Sequence, residues 1–164
     1  MNRYTRTVIN YLRNAPDEHW ISYVCQSNDD ANKDVLAWMI EQPRMPDSAA
    51  LALYWMMDPV FFLKVEDEKD IWDKVDYEIV RTLERGLLEV AYKAAAFGFD
   101  PRNDRIMGED WVTSQGFYLK EGTSIPPQLL EAIDRPQLDP ATLPDGNEGL
   151  PEYVLADMYD WEEE

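Results

Sequence analysis

The chain has 164 residues, enough for one domain with a buried core, and 45% of them are hydrophobic, which excludes an intrinsically disordered protein. Its 33 acidic and 15 basic side chains give a formal net charge of −18. Such a field repels nucleic acid and anionic lipid and speeds encounter with basic proteins, so direct binding to DNA or RNA is not expected. The alternative is that the acidity serves only to keep the protein in solution.

The single Cys25 excludes a disulfide framework and a cysteine metal cluster, and it fits a reducing compartment. Polar residues interrupt residues 1–16 every few positions, so no secretory signal is indicated. The most apolar stretch, 49–63, is broken by Asp58 and Pro59, whereas a membrane span needs about 20 mostly apolar residues. We therefore expect a cytoplasmic protein that does not interact with membranes.

Helical spacing of apolar residues dominates the first hundred residues, and prolines end most of the segments. The predicted helices cover about 3–13, 17–27, a third segment capped by Asn28 or Asp29 and stopped by Pro43, then 48–57 and 69–97. The helix over 48–57 is apolar on every side, which indicates the central helix of a bundle. The helix over 69–97 carries one apolar stripe from Ile71 to Phe97 and a charged opposite face.

From Asp100 onward, frequent glycines and prolines predict loops, a short β-hairpin near 111–120 and a short helix over 126–133. The fold class is therefore mainly α. We expect a single-domain helical bundle over residues 1–135 and an irregular C-terminal third. Residues 136–164 form a Pro/Gly-rich acidic tail, whose short terminal helix packs on or near the domain.

No set of residues indicates a reaction. His19 is the only histidine, so a histidine-based triad or zinc site lacks partners, and the glycines never take the spacing of a phosphate loop. The oxygens of Asp100, Asn103 and Asp104 could bind a hard cation, but Arg102 occupies a ligand position of the calcium-loop pattern, and a helix cap or turn is the alternative. We expect no cofactor and no enzyme; a carboxylate- and metal-dependent enzyme is the least favoured alternative.

The end of the chain carries the stronger functional pattern. Residues 111–164 hold 12 acidic and 2 basic side chains, and the terminal helix combines aromatic residues with carboxylates. Aromatic anchors inside a charged rim are typical of protein interfaces, and acidic groups speed association with a basic target. The predicted partner-binding residues are Tyr153, Asp157, Tyr159, Asp160, Trp161, Glu162 and Glu163. The alternative is that Val154, Met158 and Trp161 pack this helix on its own domain.

Three stretches between Val35 and Ile133 resemble a bacterial family of unknown function: VLAWMIEQPRMPDSAALALYWMMDP, DIWDKVDYEIVRTLERGLLEVAYKAAAFGFDPRNDR and GFYLKEGTSIPPQLLEAI. The shared features are a tryptophan-bearing helix that ends at proline, an A-L-x-x-Y/F-W helix and an Asp-Pro stop. Families of this kind often lie beside polymorphic toxins, and some act as immunity proteins. The resemblance implies an immunity protein that neutralises a cognate toxin by direct contact, and it supplies no catalytic residues; the net negative charge indicates that this toxin is basic. The alternative is an adaptor or secretion chaperone for an effector.

Overall fold

Prolines and capping residues divide the chain into short helices. A computed structural model describes residues 1–159, and in that range nine α-helices, three short 3-10 helices and a few isolated β-bridges make up the regular structure. The helices are α1 (Arg3–Leu12), α2 (Asp17–Gln26), α3 (Lys33–Ile40), α4 (Asp47–Met56), α5 (Pro59–Leu63), α6 (Lys74–Leu88), α7 (Trp111–Gly116), α8 (Pro127–Leu130) and α9 (Glu152–Tyr159). The predicted mainly α fold is confirmed.

Helix α4 forms the centre of the core. Every residue from Ser48 to Trp55 is buried, because this stretch contains no charged side chain. Its three buried polar side chains have partners: the Ser48 hydroxyl donates to the carbonyl of Phe97 at 2.6 Å, the Tyr54 hydroxyl donates to the Glu84 carboxylate at 3.4 Å, and the Trp55 indole N–H donates to the carbonyl of Leu129 at 2.9 Å. Helices α2 and α6 pack against α4. The predicted central core helix is thus confirmed.

The helix predicted over 69–97 is too long at both ends, since α6 extends only from Lys74 to Leu88. Asp73 begins α6, because its carboxylate accepts a hydrogen bond from a backbone N–H of the first turn at 3.0 Å. At the other end, Val90 adopts a positive φ of 55°, so the backbone leaves the helical conformation there. Phe97 continues the apolar spacing but enters the core from the following loop.

The β-hairpin predicted near 111–120 is also wrong, because α7 occupies its first half. The Asp110 carboxylate caps this helix: it accepts hydrogen bonds from the N–H of Thr113 at 2.9 Å and from the Thr113 hydroxyl at 2.7 Å. The Trp111 indole N–H donates to the Asp104 carboxylate at 3.0 Å. The helix predicted over 126–133 is present as the single turn of α8.

The segment before α9 is held against α2 and the α2–α3 loop. The Glu148 carboxylate accepts hydrogen bonds from the N–H of Asn28 at 2.8 Å and from the side-chain amide of Asn32 at 2.9 Å. The Ser22 hydroxyl donates to the carbonyl of Gly149 at 2.6 Å. Gly149 has a φ of +68°, and a Cβ there would lie 2.5 Å from the carbonyl oxygen of Ser22, so this close approach requires glycine. Leu155 of α9 is part of the main core.

Candidate partner-binding surfaces

The C-terminal helix α9, where the sequence placed the partner-binding residues, packs against α1. Tyr153 is 72% exposed, and its ring meets that of Tyr11 edge-on, with 6.2 Å between the centroids. The Tyr11 hydroxyl lies 2.5 Å from Nδ1 of His19, whose pKa is lowered by burial. The Arg3 guanidinium donates to the backbone carbonyl of Asp157 at 3.4 Å. The tyrosine that was expected to anchor a partner therefore also contacts its own domain.

The seven predicted partner-binding residues divide into three groups. Tyr153 and Asp157 are exposed on α9. Tyr159 is the last residue of that helix. Asp160, Trp161, Glu162 and Glu163 lie outside the described residues. Val154 and Met158, two members of the predicted packing stripe, are half-buried against the core, so the face of α9 that carries them contributes to the fold.

Helix α9 lies beside a basic element of its own chain. Helix α1 carries Arg3 and Arg6 but no acidic residue, and Arg13 follows it directly. Through Arg3, which donates to the carbonyl of Asp157, α1 places a cationic group beside α9.

A different acidic surface lies along residues 66–76, of which 69–76 were predicted to start the long amphipathic helix. Asp73 and Asp76 there form ion pairs with Lys33. Trp72 is 98% exposed, although tryptophan normally buries most of its large apolar surface. The segment also exposes four further carboxylates, those of Glu66, Asp67, Glu68 and Asp70.

The turn after α7 adds two exposed aromatic side chains to this surface. Phe117 is 85% exposed and Tyr118 is 61% exposed. Lys64 Nζ lies 4.6 Å from the centroid of the Tyr118 ring, and Lys120 forms an ion pair with Glu66. These two contacts join the turn to the start of the acidic segment. We call the combined region the acidic–aromatic surface: Glu66, Asp67, Asp70, Trp72, Phe117 and Tyr118.

This surface was not predicted, because the helical period was extended through Asp70 and Trp72. The available signal was Trp72, an aromatic residue inside the acidic run EDEKDIWD and outside the apolar stripe that begins at Ile71. The second signal was the pair Phe117 and Tyr118, which was interpreted as a β-strand. Neither local pattern shows that the two segments lie together.

The oxygen-rich residues at 100–104 form a turn. Oδ1 of Asp104 accepts hydrogen bonds from the N–H groups of Ile106 and Met107 at 2.9 and 3.1 Å, and Oδ2 accepts from the Trp111 indole. The Asp100 carboxylate accepts from the N–H of Arg102 at 2.9 Å. These contacts correspond to the helix cap and turn that was the alternative to a cation site. Within residues 1–159, no group of three or more His, Cys, Asp or Glu side chains is placed to hold a metal ion.

An open cavity of about 380 Å³ lies between α3 and α6. Its walls combine apolar and charged side chains: Ala37, Ile40, Glu41, Lys74, Val75, Glu78, Ile79 and Thr82. Val75 is 50% exposed at this cavity. No helix in the described part of the chain combines the length and apolar character needed to cross a bilayer.

Residues 15–88 match the family model of a domain of unknown function, DUF4274. The match extends from α2 through α6 and includes the Trp72 half of the acidic–aromatic surface, whereas α1, the turn at 117–120 and α9 lie outside it. The expected similarity to a domain of unknown function is thereby confirmed from Val35 to Leu88, while the expected stretches between residues 89 and 133 lie outside the match. No curated protein and no solved structure matches the chain.

Proposed function

We propose that this chain is an acidic protein-binding protein that neutralises a basic partner by direct contact, as an immunity protein does with its cognate bacterial toxin. The observation that carries this proposal is a large negative charge with few internal partners. Ion pairs in the described part of the chain involve the carboxylates of Asp17, Asp47, Glu66, Asp73, Asp76 and Glu84. Most other acidic side chains in this range are exposed to solvent.

A nuclease is the class of toxin that best fits such a surface. Its substrate cleft is lined with cations that hold phosphate groups, and carboxylates can occupy the same positions. Long-range attraction between the two proteins would also speed their association, which suits an inhibitor that must act before its target reaches nucleic acid. The toxin as partner rests on the sequence resemblance of the central helices, and the basic character of the partner rests on charge.

The proposal is tested by capturing partners from lysate of the native host at low salt and assaying the purified partner. We expect one basic protein that is released by rising salt and loses its activity when one equivalent of this chain is added. A second bait that ends at Tyr159 retains α9 and measures the contribution of the last five residues. A partner that keeps full activity when saturated with the chain would contradict neutralisation.

An adaptor or secretion chaperone is the second candidate function, and the open cavity between α3 and α6 favours it. Ala37, Ile40 and Val75 provide an apolar wall that could hold an apolar segment of an effector. Such a complex would persist at high salt, because burial of apolar surface is not screened by ions. It would also leave the effector active, so the same two measurements separate the two candidates.

A further inference from the structure

We propose that the acidic–aromatic surface is the docking site for a lysine- and arginine-rich segment of a protein partner; this inference rests on the function proposed above. The surface combines two features that rarely occur together on a protein exterior. Trp72 and Phe117 are 98% and 85% exposed, and the carboxylates of Asp67 and Asp70 are exposed in the same acidic segment as Trp72. Exposed aromatic rings beside carboxylates offer an incoming cation both a cation–π contact and an ion pair.

The chain's own lysines show which chemical group this surface accommodates. Lys64 places its ammonium group over the Tyr118 ring, and Lys120 places its ammonium group against the Glu66 carboxylate. These are the two contacts that aromatic rings and carboxylates offer to a cation. The surface thus already holds two ammonium groups within its own fold.

In the described part of the chain, the remaining residues of the acidic–aromatic surface have no cationic partner. Among residues 1–159, neither Asp67 nor Asp70 forms an ion pair, and no cationic side chain lies over the ring of Trp72 or Phe117. Lysine and arginine side chains from another protein could make the same contacts with these four residues. Arginine fits best, because its planar guanidinium can stack on a ring while its N–H groups bond to a carboxylate.

The acidic–aromatic surface and α9 both combine carboxylates with nearby basic side chains. Helix α9 packs against α1, which contributes Arg3 and Arg6, so an incoming cation would meet like charges there. The acidic segment has six acidic and two basic residues over 66–76, and Lys33 forms ion pairs with two of the acids. Net charge therefore does not distinguish the two surfaces, whereas the aromatic variants described below do.

The test measures binding of a fluorescein-labelled peptide of alternating arginine and glycine residues to the intact chain by fluorescence anisotropy. We expect the double variant Trp72→Ala/Phe117→Ala to bind the peptide at least about tenfold more weakly, because the aromatic contacts are lost while the net charge is unchanged. Both side chains are almost fully exposed, so the variant should fold normally. The matched control is Tyr153→Ala, which removes an exposed aromatic from α9 and should change the affinity by less than about twofold.

Two outcomes would overturn the assignment. Peptide binding by Trp72→Ala/Phe117→Ala that stays within about twofold of the wild type would show that net charge alone holds the peptide. A loss with Tyr153→Ala as large as that with the double variant would place the site on α9. The peptide assay uses no natural partner. If it fails, the proposed neutralisation is still tested separately, by measuring the activity of the captured partner. Conversely, a captured partner that stays active would reject the proposed function without altering the peptide result.

Discussion

Val90 is a residue whose identity conflicts with its backbone conformation. It has a φ of +55° and a side chain that is 85% exposed, directly after the last turn of α6. The next residue closes the helix, since the N–H of Ala91 donates to the carbonyl of Gly86 at 2.9 Å. Helices commonly end with glycine in this left-handed conformation, and a β-branched residue is strained there.

Replacing Val90 with glycine should therefore stabilise the protein. We expect Val90→Gly to raise the free energy of unfolding by about 1 kcal/mol, measured by urea denaturation, because glycine adopts a positive φ without steric cost. Val90→Ala is the matched control: it shortens the exposed side chain but keeps the Cβ, so most of the strain should remain. Equal stabilisation by the two variants would show that the positive φ is not the cause.

At the scale of elements, the side chain of Arg44, in the loop between α3 and α4, caps the C-terminal end of helix α1. The Arg44 guanidinium donates to the backbone carbonyls of Arg13 and, at 2.7 Å, Ala15, which follow the helix. The same group lies 5.3 Å from the centroid of the Trp20 ring, which is fully buried in α2. Arg44 thus satisfies carbonyl groups at the end of α1 and ties α1 to α2.

Removing this contact should loosen the α1–α2 pair. We expect Arg44→Ala to lower the free energy of unfolding by about 2 kcal/mol, because carbonyl partners and a cation–π contact are lost together. Arg44→Lys should recover only part of that loss, since one ammonium group cannot reach both carbonyls and stack on the ring. Arg44 also lies 3.6 Å from the Asp17 carboxylate. Wild-type stability of Arg44→Lys in urea denaturation would show instead that a positive charge near Asp17 is sufficient.

Helices could be predicted where the apolar period agrees with the start and stop signals. Helices α1, α2 and α4 begin and end within one residue of their predicted bounds. The prediction was wrong past Leu88, because side chains of a loop can enter the core with the same spacing as a helix. It was also wrong near 111–120, where the cap supplied by Asp110 outweighs the β-propensity of the aromatic residues that follow.

The acidic–aromatic surface could not be predicted for a different reason. Its existence depends on Tyr118 meeting Lys64 and on Lys120 meeting Glu66, contacts that are distant in sequence. Local patterns do not report such contacts, nor do they show that Trp72 stays outside the core. The sequence likewise did not reveal that α1, which carries Arg3 and Arg6, packs against α9.

At the scale of the whole molecule, repulsion within a net charge of −18 destabilises the folded state. Because ion pairs in the described part engage few carboxylates, repulsion among the others should outweigh local attraction. We expect the urea midpoint of unfolding to rise when sodium chloride is increased from about 10 to 300 mM, since the screening length falls from about 30 Å to less than 8 Å. A midpoint that falls with salt would show that the ion pairs dominate.

Charge variants separate repulsion from a general effect of salt on apolar burial. Asp70→Asn/Asp134→Asn removes two exposed carboxylates that form no ion pair within residues 1–159. It should raise the low-salt midpoint and reduce its increase with salt. Lys120→Gln removes a cation and leaves Glu66 unpaired, so it should lower the low-salt midpoint and steepen the increase. If the three proteins respond identically to salt, the salt acts through apolar burial, and self-repulsion does not limit the stability of this chain.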